Sequence, residues 1–326
     1  MKYKNLGKSG LKVSILSYGS WVTFGNQMQV SHAKNCLAAA YDHGVNFFDN
    51  AETYAFGMSE IIMGKAIKQL SWPRDSYIVS SKVYFGSTKE KLPTQVGLNR
   101  KHLIEACDAA LKRLQLDYLD LYFCHRPDPT TPIEEVVETM TALIRQGKIF
   151  YWGTSEWSVQ EIMEAYGIAR ERNLIPPTME QPQYSMLWRE RVESEYKRLY
   201  ETIGLGITTW STLASGLLTG KYNNGIPEGS RLSLTGYDWL RKSILDEGGE
   251  NLKKTRKLTE LAAELGIPLP NMAIAWALKN PDVSTVIMGA SKVEQIESNL
   301  KSLDYTDVLT ADVLQSIEEI LDNKPS

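Results

Sequence analysis

Five polar residues of different types stand at or just after the ends of short apolar runs. They are Asp49, Lys82, His125, Ser155 and Gln181. Tyr54 follows Asp49 by five positions. In a fold whose parallel strands all end at one face, these side chains meet there. A carboxylate, an ammonium group, an imidazole and a phenol would then share one site.

Carbonyl reduction is the chemistry that this set fits. It needs a hydride donor and an acid that protonates the carbonyl oxygen. A phenol has an unperturbed pKa of about 10, which a neighbouring ammonium group lowers. Tyr54 fits the acid, Lys82 the ammonium group and Asp49 the carboxylate that keeps Lys82 charged. His125 can donate a hydrogen bond to the same oxygen. Each residue alone is explained equally well as a polar strand end, but the whole set favours a site.

The elements that must position these residues follow from apolar runs separated by helical patterns. The strand candidates are residues 15–19, 47–49, 77–81, 119–124, 151–155, 179–181, 207–210 and 286–288. Helical patterns lie between most of them, such as 99–114 with Asn99 as a cap, and Thr131 with Glu134 forms a capping box for another helix. Eight alternating units about thirty residues apart predict a closed (β/α)8 TIM barrel.

Two further features complete the predicted architecture. Residues 3–14, with Gly7 and Gly10, read as an N-terminal β-hairpin that caps the bottom of the barrel. The spacing between elements stretches at 84–99 and at 216–248, which predicts long loops at the C-terminal face. No linker divides the chain, so we expect one barrel domain over residues 1–326.

Composition excludes several classes of function. A net charge of −3 gives no general attraction to nucleic acid or anionic membranes. Three separated cysteines predict neither a zinc site nor a disulfide framework, and four histidines form no metal-ligand motif. No run is long and apolar enough for a membrane span or a signal peptide. We therefore expect a cytoplasmic protein without metal.

Several motifs carry a resemblance to a known family. Residues 49–54 (DNAETY), 81–82 (SK) and 125–128 (HRPD) look like the catalytic motifs of the aldo-keto reductases. The match extends from 6–10 to 289–291. Within that superfamily, the chain resembles the branch of the voltage-gated potassium channel β-subunits. The segments that carry this second likeness are 153–157 (GTSEW), 173–177 (NLIPP) and 273–276 (AIAW).

Two positions depart from the animal members of that branch. Those proteins carry Asn where this chain has His125, so the resemblance implies a complete reductase tetrad here, as in plant and bacterial relatives. They also carry Arg where this chain has Glu156. The loss of that positive charge is expected to weaken or rearrange the grip on the cofactor.

The resemblance implies NADP(H) as the cofactor. No GxGxxG motif supports a Rossmann site, and residues 216–222 (GLLTGKY) imitate a P-loop with one residue too few and Tyr222 in place of Ser or Thr. The family instead binds an extended NADP(H) across the top of the barrel. The implied contacts are Ser20, Trp21, Asp49, Ser155, Gln181, Trp210, Ser211, Leu213, Ser215, Lys221, Arg231, Gly289, Ser291, Lys292, Gln295 and Asn299.

The resemblance implies that different residues contact different parts of the cofactor. Ser155 and Gln181 would bind the nicotinamide amide, Trp210 would stack on its ring, and the segment after Trp210 would contact the pyrophosphate. Ser291 and Glu294 form a capping box after the last strand, and a helix N-terminus there attracts an anion. The resemblance places the 2′-phosphate at this point. Each residue alone is also explained by ordinary packing or capping.

Three functional hypotheses remain open. The first is NADPH-dependent reduction of small aldehydes or ketones in a pocket walled by Trp21, Tyr84, Phe85 and Trp157. The second, implied by the branch resemblance, is a tetrameric, redox-sensing auxiliary subunit of a potassium channel. The barrel begins almost at Met1, which leaves no long segment to plug a pore. The third is a catalytically silent scaffold.

Overall fold

Parallel strands close into a barrel in the computed structural model, which describes residues 1–233, 241, 242, 245 and 249–325. Around the barrel, each strand pairs with the next one along the chain, and the last pairs with the first. The barrel strands are β3 (Leu16–Gly19), β4 (Phe47–Asp49), β5 (Ile78–Val83), β6 (Leu119–Cys124), β7 (Ile149–Thr154), β8 (Met179–Glu180), β9 (Gly206–Thr209) and β10 (Val283–Gly289). The predicted TIM barrel is confirmed.

The predicted runs all fall on barrel strands; 47–49 and 119–124 match the observed bounds, and the other runs have shifted ends. The sequence placed the last strand at 286–288, whereas β10 runs over Val283–Gly289. The third run ended at Ser81 in the sequence, whereas β5 continues to Val83 and takes Lys82 into the strand. Both missed parts contain polar side chains, which interrupt the apolar pattern from which a buried strand is recognised.

Helices surround the barrel. The helices whose full bounds lie within the described residues are α1 (Val30–Asp42), α2 (Met58–Leu70), α3 (Arg100–Leu114), α4 (Ile133–Arg145), α5 (Val159–Glu171), α6 (Lys197–Thr202), α7 (Glu250–Glu264), α8 (Leu269–Lys279), α9 (Val293–Leu300) and α10 (Ala311–Leu321). Short 3₁₀ turns cover Tyr54–Gly57, Arg74–Ser76, Pro93–Gln95, Ala214–Thr219, Arg231–Ser233 and Lys301–Tyr305, and a π-helical turn covers Arg191–Glu195.

Of two predicted helix starts, one is confirmed and the other is wrong. Asn99 caps α3, since its side-chain oxygen accepts a hydrogen bond from the His102 N–H at 3.0 Å. The capping box predicted from Thr131 and Glu134 is absent, because α4 begins after Pro132 and no side chain caps it. The Thr131 hydroxyl donates instead to Asp128, at 2.7 Å.

An antiparallel hairpin closes the amino-terminal end of the barrel, as predicted. Its strands are β1 (Tyr3–Asn5) and β2 (Lys12–Ser14). Leu6 and Val13 are fully buried and pack with Phe47 and other residues of the barrel interior. The hairpin therefore supplies the floor of the barrel and leaves the carboxyl ends of the strands open for a site.

Of the two stretched segments, the first carries little regular structure. Residues 84–99 contain the turn Pro93–Gln95, and 216–248 lie partly outside the described residues. Within the described part of the chain, no single helix is long and apolar enough to cross a membrane. Only α7 and α8 taken together pass that test, and they are bent by 95° relative to each other.

Candidate active site

A fully buried ion pair lies at the carboxyl ends of β4 and β5. The Lys82 ammonium nitrogen is 2.6 Å from the Asp49 Oδ2 atom and 2.7 Å from the Asn50 carbonyl oxygen. The other carboxylate oxygen of Asp49 accepts hydrogen bonds from Ser80, at 2.7 Å, and from the Gln181 amide, at 3.2 Å. Asp49 has several donors around it, which offset the cost of burying its charge.

Tyr54 places its hydroxyl 3.3 Å from the Lys82 ammonium nitrogen. The expectation that this contact makes the phenol more acidic is wrong. Burial raises the pKa of Tyr54 well above 10, and the Asp49 charge raises this pKa further. Burial also lowers the pKa of Lys82. Because Asp49 balances the charge of Lys82, burial decides the direction. Tyr54 therefore holds its proton at neutral pH.

His125 follows β6 and faces Tyr54. The two ring centroids are 5.8 Å apart and the rings meet edge to face. Burial and the charges of Lys82 and Arg126 lower the pKa of His125 well below its ordinary value, so the imidazole is neutral. Its buried Nδ1 atom has no hydrogen-bond partner within the described residues. A neutral imidazole beside the phenol can donate one N–H to an oxygen bound between them.

The backbone next to Tyr54 is strained. Ala55 and Phe56 both adopt left-handed conformations, with φ values of 48° and 53°. Each such residue costs on the order of 1–3 kcal/mol when it is not glycine, and strain of this kind clusters at functional sites. The strained turn leads from β4 into α2 and holds the phenol over the end of the barrel.

Glu52 anchors the loop that forms another side of the site. Its Oε1 atom accepts hydrogen bonds from the Tyr84 and Gly86 backbone N–H groups at 2.9 and 2.8 Å, and it lies 3.3 Å from His102 Nε2. These contacts anchor the start of the 84–99 loop. Phe85 is thereby placed edge-on to His125, with ring centroids 5.1 Å apart.

One cavity of about 780 Å³ extends from Tyr54 across the carboxyl face to α9. Thirteen of the predicted cofactor contacts line it. They are Trp21, Asp49, Ser155, Gln181, Trp210, Ser211, Leu213, Ser215, Lys221, Gly289, Ser291, Gln295 and Asn299. The structure therefore brings Asp49, Tyr54, His125 and most of the predicted cofactor contacts into one continuous space. Lys82 does not line this cavity but bonds to Asp49 and Tyr54, which do.

Two other predicted contacts, Ser20 and Lys292, do not line the cavity. Ser20 is buried behind the wall, where its hydroxyl donates to the Asp49 carbonyl oxygen at 3.0 Å. Lys292 is exposed and is not among the lining residues. The side chain of Arg231 lies outside the described part of the chain.

The segment after Trp210 fits an anionic ligand. The hydroxyl oxygens of Ser211, Thr212 and Ser215 are buried and have no partner within the described residues. Ser211 and Ser215 are also left-handed, with φ values of 59° and 53°. Unpaired buried hydroxyls are costly, and left-handed turns form concavities of N–H groups that bind phosphate. These features suit the pyrophosphate of a dinucleotide.

The start of α9 differs from its prediction. No capping box forms, because Lys292 is the N-cap residue and no side chain caps the helix. The Gln295 side-chain oxygen instead accepts hydrogen bonds from the Ser291 N–H at 2.8 Å and hydroxyl at 3.3 Å. Ser291 and Gln295 still lie at this end of the cavity.

The indole of Trp210 is held by Glu156. Its Nε1 atom donates to Glu156 Oε1 at 2.9 Å, and that oxygen also accepts from the Gln183 backbone N–H at 2.6 Å. The second Glu156 oxygen lies 3.2 Å from an Arg191 guanidinium nitrogen. Glu156 thus bonds to Trp210 and is paired with a cation, which its sequence position did not reveal.

The predicted apolar wall is half right. Trp21 and Phe85 line the cavity, whereas Tyr84 and Trp157 do not. Trp157 is only 1% exposed and packs in the core beside a separate cavity of about 270 Å³. The sequence could not distinguish the two cases, because all four aromatic residues directly follow or adjoin strand ends.

Sequence reasoning also missed residues that line the main cavity. The polar ones near Tyr54 and Trp21 are Thr23, Gln27, Thr53 and Arg126. Arg126 directly follows His125, and a charged residue beside a proposed catalytic one was the available signal. The others occupy loops and carry no distinctive pattern.

The sequence model of the Aldo/keto reductase family matches residues 15–322. The chain belongs to this family. The resemblance drawn from its motifs is thereby confirmed, and aldo/keto reductase membership supports an oxidoreductase. Members of the family generally bind NADP(H).

Close relatives carry the name of channel subunits. The chain is 52% identical to a protein of Arabidopsis thaliana named as a voltage-gated potassium channel subunit beta, over all of this chain and 98% of the relative. A rice (Oryza sativa subsp. japonica) protein of the same name is 51% identical, with the same coverage. A third, from Schizosaccharomyces pombe, is 51% identical over 99% of this chain and 94% of the relative.

Proposed function

We propose that this aldo/keto reductase reduces small aldehydes or ketones to alcohols with NADPH, and that Tyr54 donates the proton. The observation that carries the proposal is the Tyr54 hydroxyl 3.3 Å from the Lys82 ammonium group, beside a neutral His125 in a cavity large enough for cofactor and substrate. Carbonyl reduction needs such an acid at the oxygen.

The protein's own groups divide the chemistry between them. When bound, the reduced nicotinamide supplies the hydride. His125 orients the carbonyl oxygen by a hydrogen bond, and the Tyr54 O–H transfers its proton to that oxygen as negative charge develops. The adjacent Lys82 ammonium group stabilises the resulting phenolate, and Asp49 holds Lys82 in place at 2.6 Å. Trp21 and Phe85 reduce access of water to the reacting atoms.

The cofactor is proposed to lie along the cavity from Gln181 to Asn299. Ser155 and Gln181 would bind the nicotinamide amide, and Trp210 would pack against the ring. Ser211, Leu213, Ser215 and Lys221 would contact the pyrophosphate. The 2′-phosphate would lie at Ser291, Gln295 and Asn299, with Lys292 and Arg231 adding positive charge. The unpaired hydroxyls of the Ser211 segment support this placement.

Turnover of NADPH with a panel of small aldehydes and ketones tests the proposal. The wild-type protein should oxidise NADPH with at least some of them. Tyr54→Phe removes the proton donor, and we expect kcat to fall by at least about 100-fold, since general acid catalysis contributes about 10²–10⁴. NADPH affinity, followed by fluorescence titration, should change little.

Tyr84→Phe is the matched control, because Tyr84 adjoins the site without lining the cavity. It should keep most of the activity. Tight NADPH binding by the wild-type protein without turnover of any carbonyl would overturn the enzymatic proposal.

A role as a potassium channel auxiliary subunit is the second candidate, favoured by the names of the relatives. We propose a homotetramer for this role. Light scattering after gel filtration measures the assembly, and co-purification with a channel from the same organism measures the partner. The two roles are compatible, because one site can sense the redox state of the cofactor by turning it over.

A further inference from the structure

Arg126 brings a positive charge to the end of the cavity where Tyr54 lies. It follows His125 and lines the same cavity as Tyr54 and Phe85. Its Nη1 atom donates to the His125 carbonyl oxygen at 2.5 Å and to the Ser155 hydroxyl at 3.2 Å. Both bonds use one nitrogen, and a guanidinium carries five N–H donors on three nitrogens. Donors therefore remain for a ligand.

Within the described part of the chain, no neighbouring carboxylate balances the charge of Arg126. Asp49 is bonded to Lys82 at 2.6 Å, so these two charges offset each other. Among the described residues, no carboxylate forms an ion pair with Arg126, in contrast to Arg113, Arg189 and Arg191. The field of Arg126 also reaches the reacting groups, because it contributes to the lowered pKa of His125 and partly opposes the rise in the pKa of Tyr54.

An aromatic surface connects Arg126 with the reacting end. The guanidinium carbon lies 5.8 Å from the Phe85 ring centroid, and that centroid lies 5.1 Å from the His125 ring centroid. A flat substrate packed on Phe85 can present its carbonyl to His125 and Tyr54 and its other end to Arg126. A carboxylate at that other end matches the planar donors of a guanidinium.

We infer that Arg126 is a specificity-determining residue that selects carbonyl substrates bearing a carboxylate. This inference rests on the proposed reductase function. It narrows the substrate class from small carbonyl compounds to carbonyl acids, with an aromatic or similarly flat spacer between the two groups.

The experiment compares two substrates of nearly equal shape, 4-carboxybenzaldehyde and the neutral methyl 4-formylbenzoate, with NADPH as cofactor. The readout is the ratio of kcat/KM for the acid to kcat/KM for the ester. In the wild-type protein this ratio should exceed about 10, the scale of a charge-assisted hydrogen-bonded pair. In Arg126→Met it should fall to about 1, mainly through a higher KM for the acid.

Two further variants serve as controls. Arg126→Lys keeps the charge without the planar donors and should give an intermediate ratio. Arg100→Met removes an exposed arginine paired with Glu138 and should leave the ratio at its wild-type value.

The failures of the two proposals are distinguishable. Equal ratios in the wild-type protein and Arg126→Met, with the ester still reduced in a Tyr54-dependent reaction, would overturn the role of Arg126 and leave the reductase intact. Reduction of neither substrate, nor of any other carbonyl, would overturn the reductase proposal itself.

Discussion

Lys82 meets Tyr54 on one side and Asp49 on the other, at 3.3 and 2.6 Å. This arrangement keeps the phenol protonated before reaction and leaves a cation beside it when the proton departs. A lone ammonium group would have acidified the phenol in the resting protein. The motif identified the partners of Tyr54, but the direction of its pKa depends on the burial of all three groups, which their spacing does not encode.

Glu156 holds Trp210 in place by accepting a hydrogen bond from its indole N–H, and this contact gives a testable prediction. Glu156→Ala frees the indole, and we expect NADPH to bind about 5–10-fold more weakly, equivalent to about 1–1.4 kcal/mol. Glu156→Gln keeps a side-chain oxygen for the Trp210 N–H and should bind NADPH more tightly than the alanine variant. Fluorescence titration with NADPH measures both. Equal affinities for the wild-type and alanine proteins would show that Trp210 needs no support from Glu156.

At the scale of elements, β8 carries a buried carboxyl, that of Glu180, which does not line the cavity. Glu180 accepts a hydrogen bond from the Thr154 hydroxyl, and its Oε1 atom lies 3.5 Å from the Tyr196 hydroxyl oxygen. Burial raises the pKa of Glu180 to about 8, and the Glu156 charge adds to the rise. The folded protein therefore prefers the protonated acid at neutral pH.

This raised pKa predicts a loss of stability with rising pH. In the unfolded chain Glu180 ionises near its ordinary pKa of about 4.3, whereas the folded state retains the proton up to about pH 8. The Glu180 contribution is fully present below the lower pKa and is lost as pH rises to the higher one. Glu180→Gln should remove this contribution. Urea unfolding of both proteins at about pH 5, 6.5 and 8 should show the difference, and parallel curves would contradict it.

The elements themselves were largely predictable, for a physical reason. Barrel strands are buried on both faces, so they stand out as apolar runs, and the polar residues at or just after the ends of five runs mark the face of the site. Helix starts were less predictable. At Thr131 and Ser291 the capping pattern was present, but the helices begin after Pro132 and Lys292. The Thr131 hydroxyl donates to Asp128, and the Ser291 N–H donates to Gln295.

The residues of the candidate site were predictable where a sequence motif contains them. They were less predictable where their role depends on contacts between segments that are distant in sequence. Tyr54, Lys82 and His125 were identified from strand ends. Arg126 and Glu156 were not assigned their contacts, because these depend on side chains of distant segments such as Ser155 and Trp210. The proposed phosphate contacts come from two segments far apart in sequence, the one after Trp210 and the start of α9. Only the serine and lysine residues of these segments indicated phosphate binding.

At the scale of the whole molecule, the hairpin and the barrel fit together through a close backbone approach. Gly7 has a φ of +55°, and a Cβ atom there would lie 2.3 Å from the Gly204 carbonyl oxygen and 2.4 Å from the Gly206 nitrogen. The floor of the barrel therefore tolerates no side chain at this position.

Gly7→Ala should destabilise the protein by about 2–4 kcal/mol, combining left-handed strain with overpacking. Gly147→Ala is the matched control, because Gly147 has a φ of +72° but no atom within 4 Å of the added Cβ. It should cost only about 1–2 kcal/mol. Chemical denaturation measures both, and equal losses would mean that the contact with Gly204 carries no weight.

The packing of the hairpin into the closed barrel also sets the order in which a newly made chain can finish folding. Leu6 and Val13 leave the ribosome early, yet the barrel interior into which they pack is complete only when β10 pairs with β3. At about 5–20 residues per second, synthesis of the intervening chain takes roughly 15–55 s. During that time the hairpin's apolar side chains have no finished barrel to cover them, so residues translated before every barrel strand are among the last to reach their native contacts.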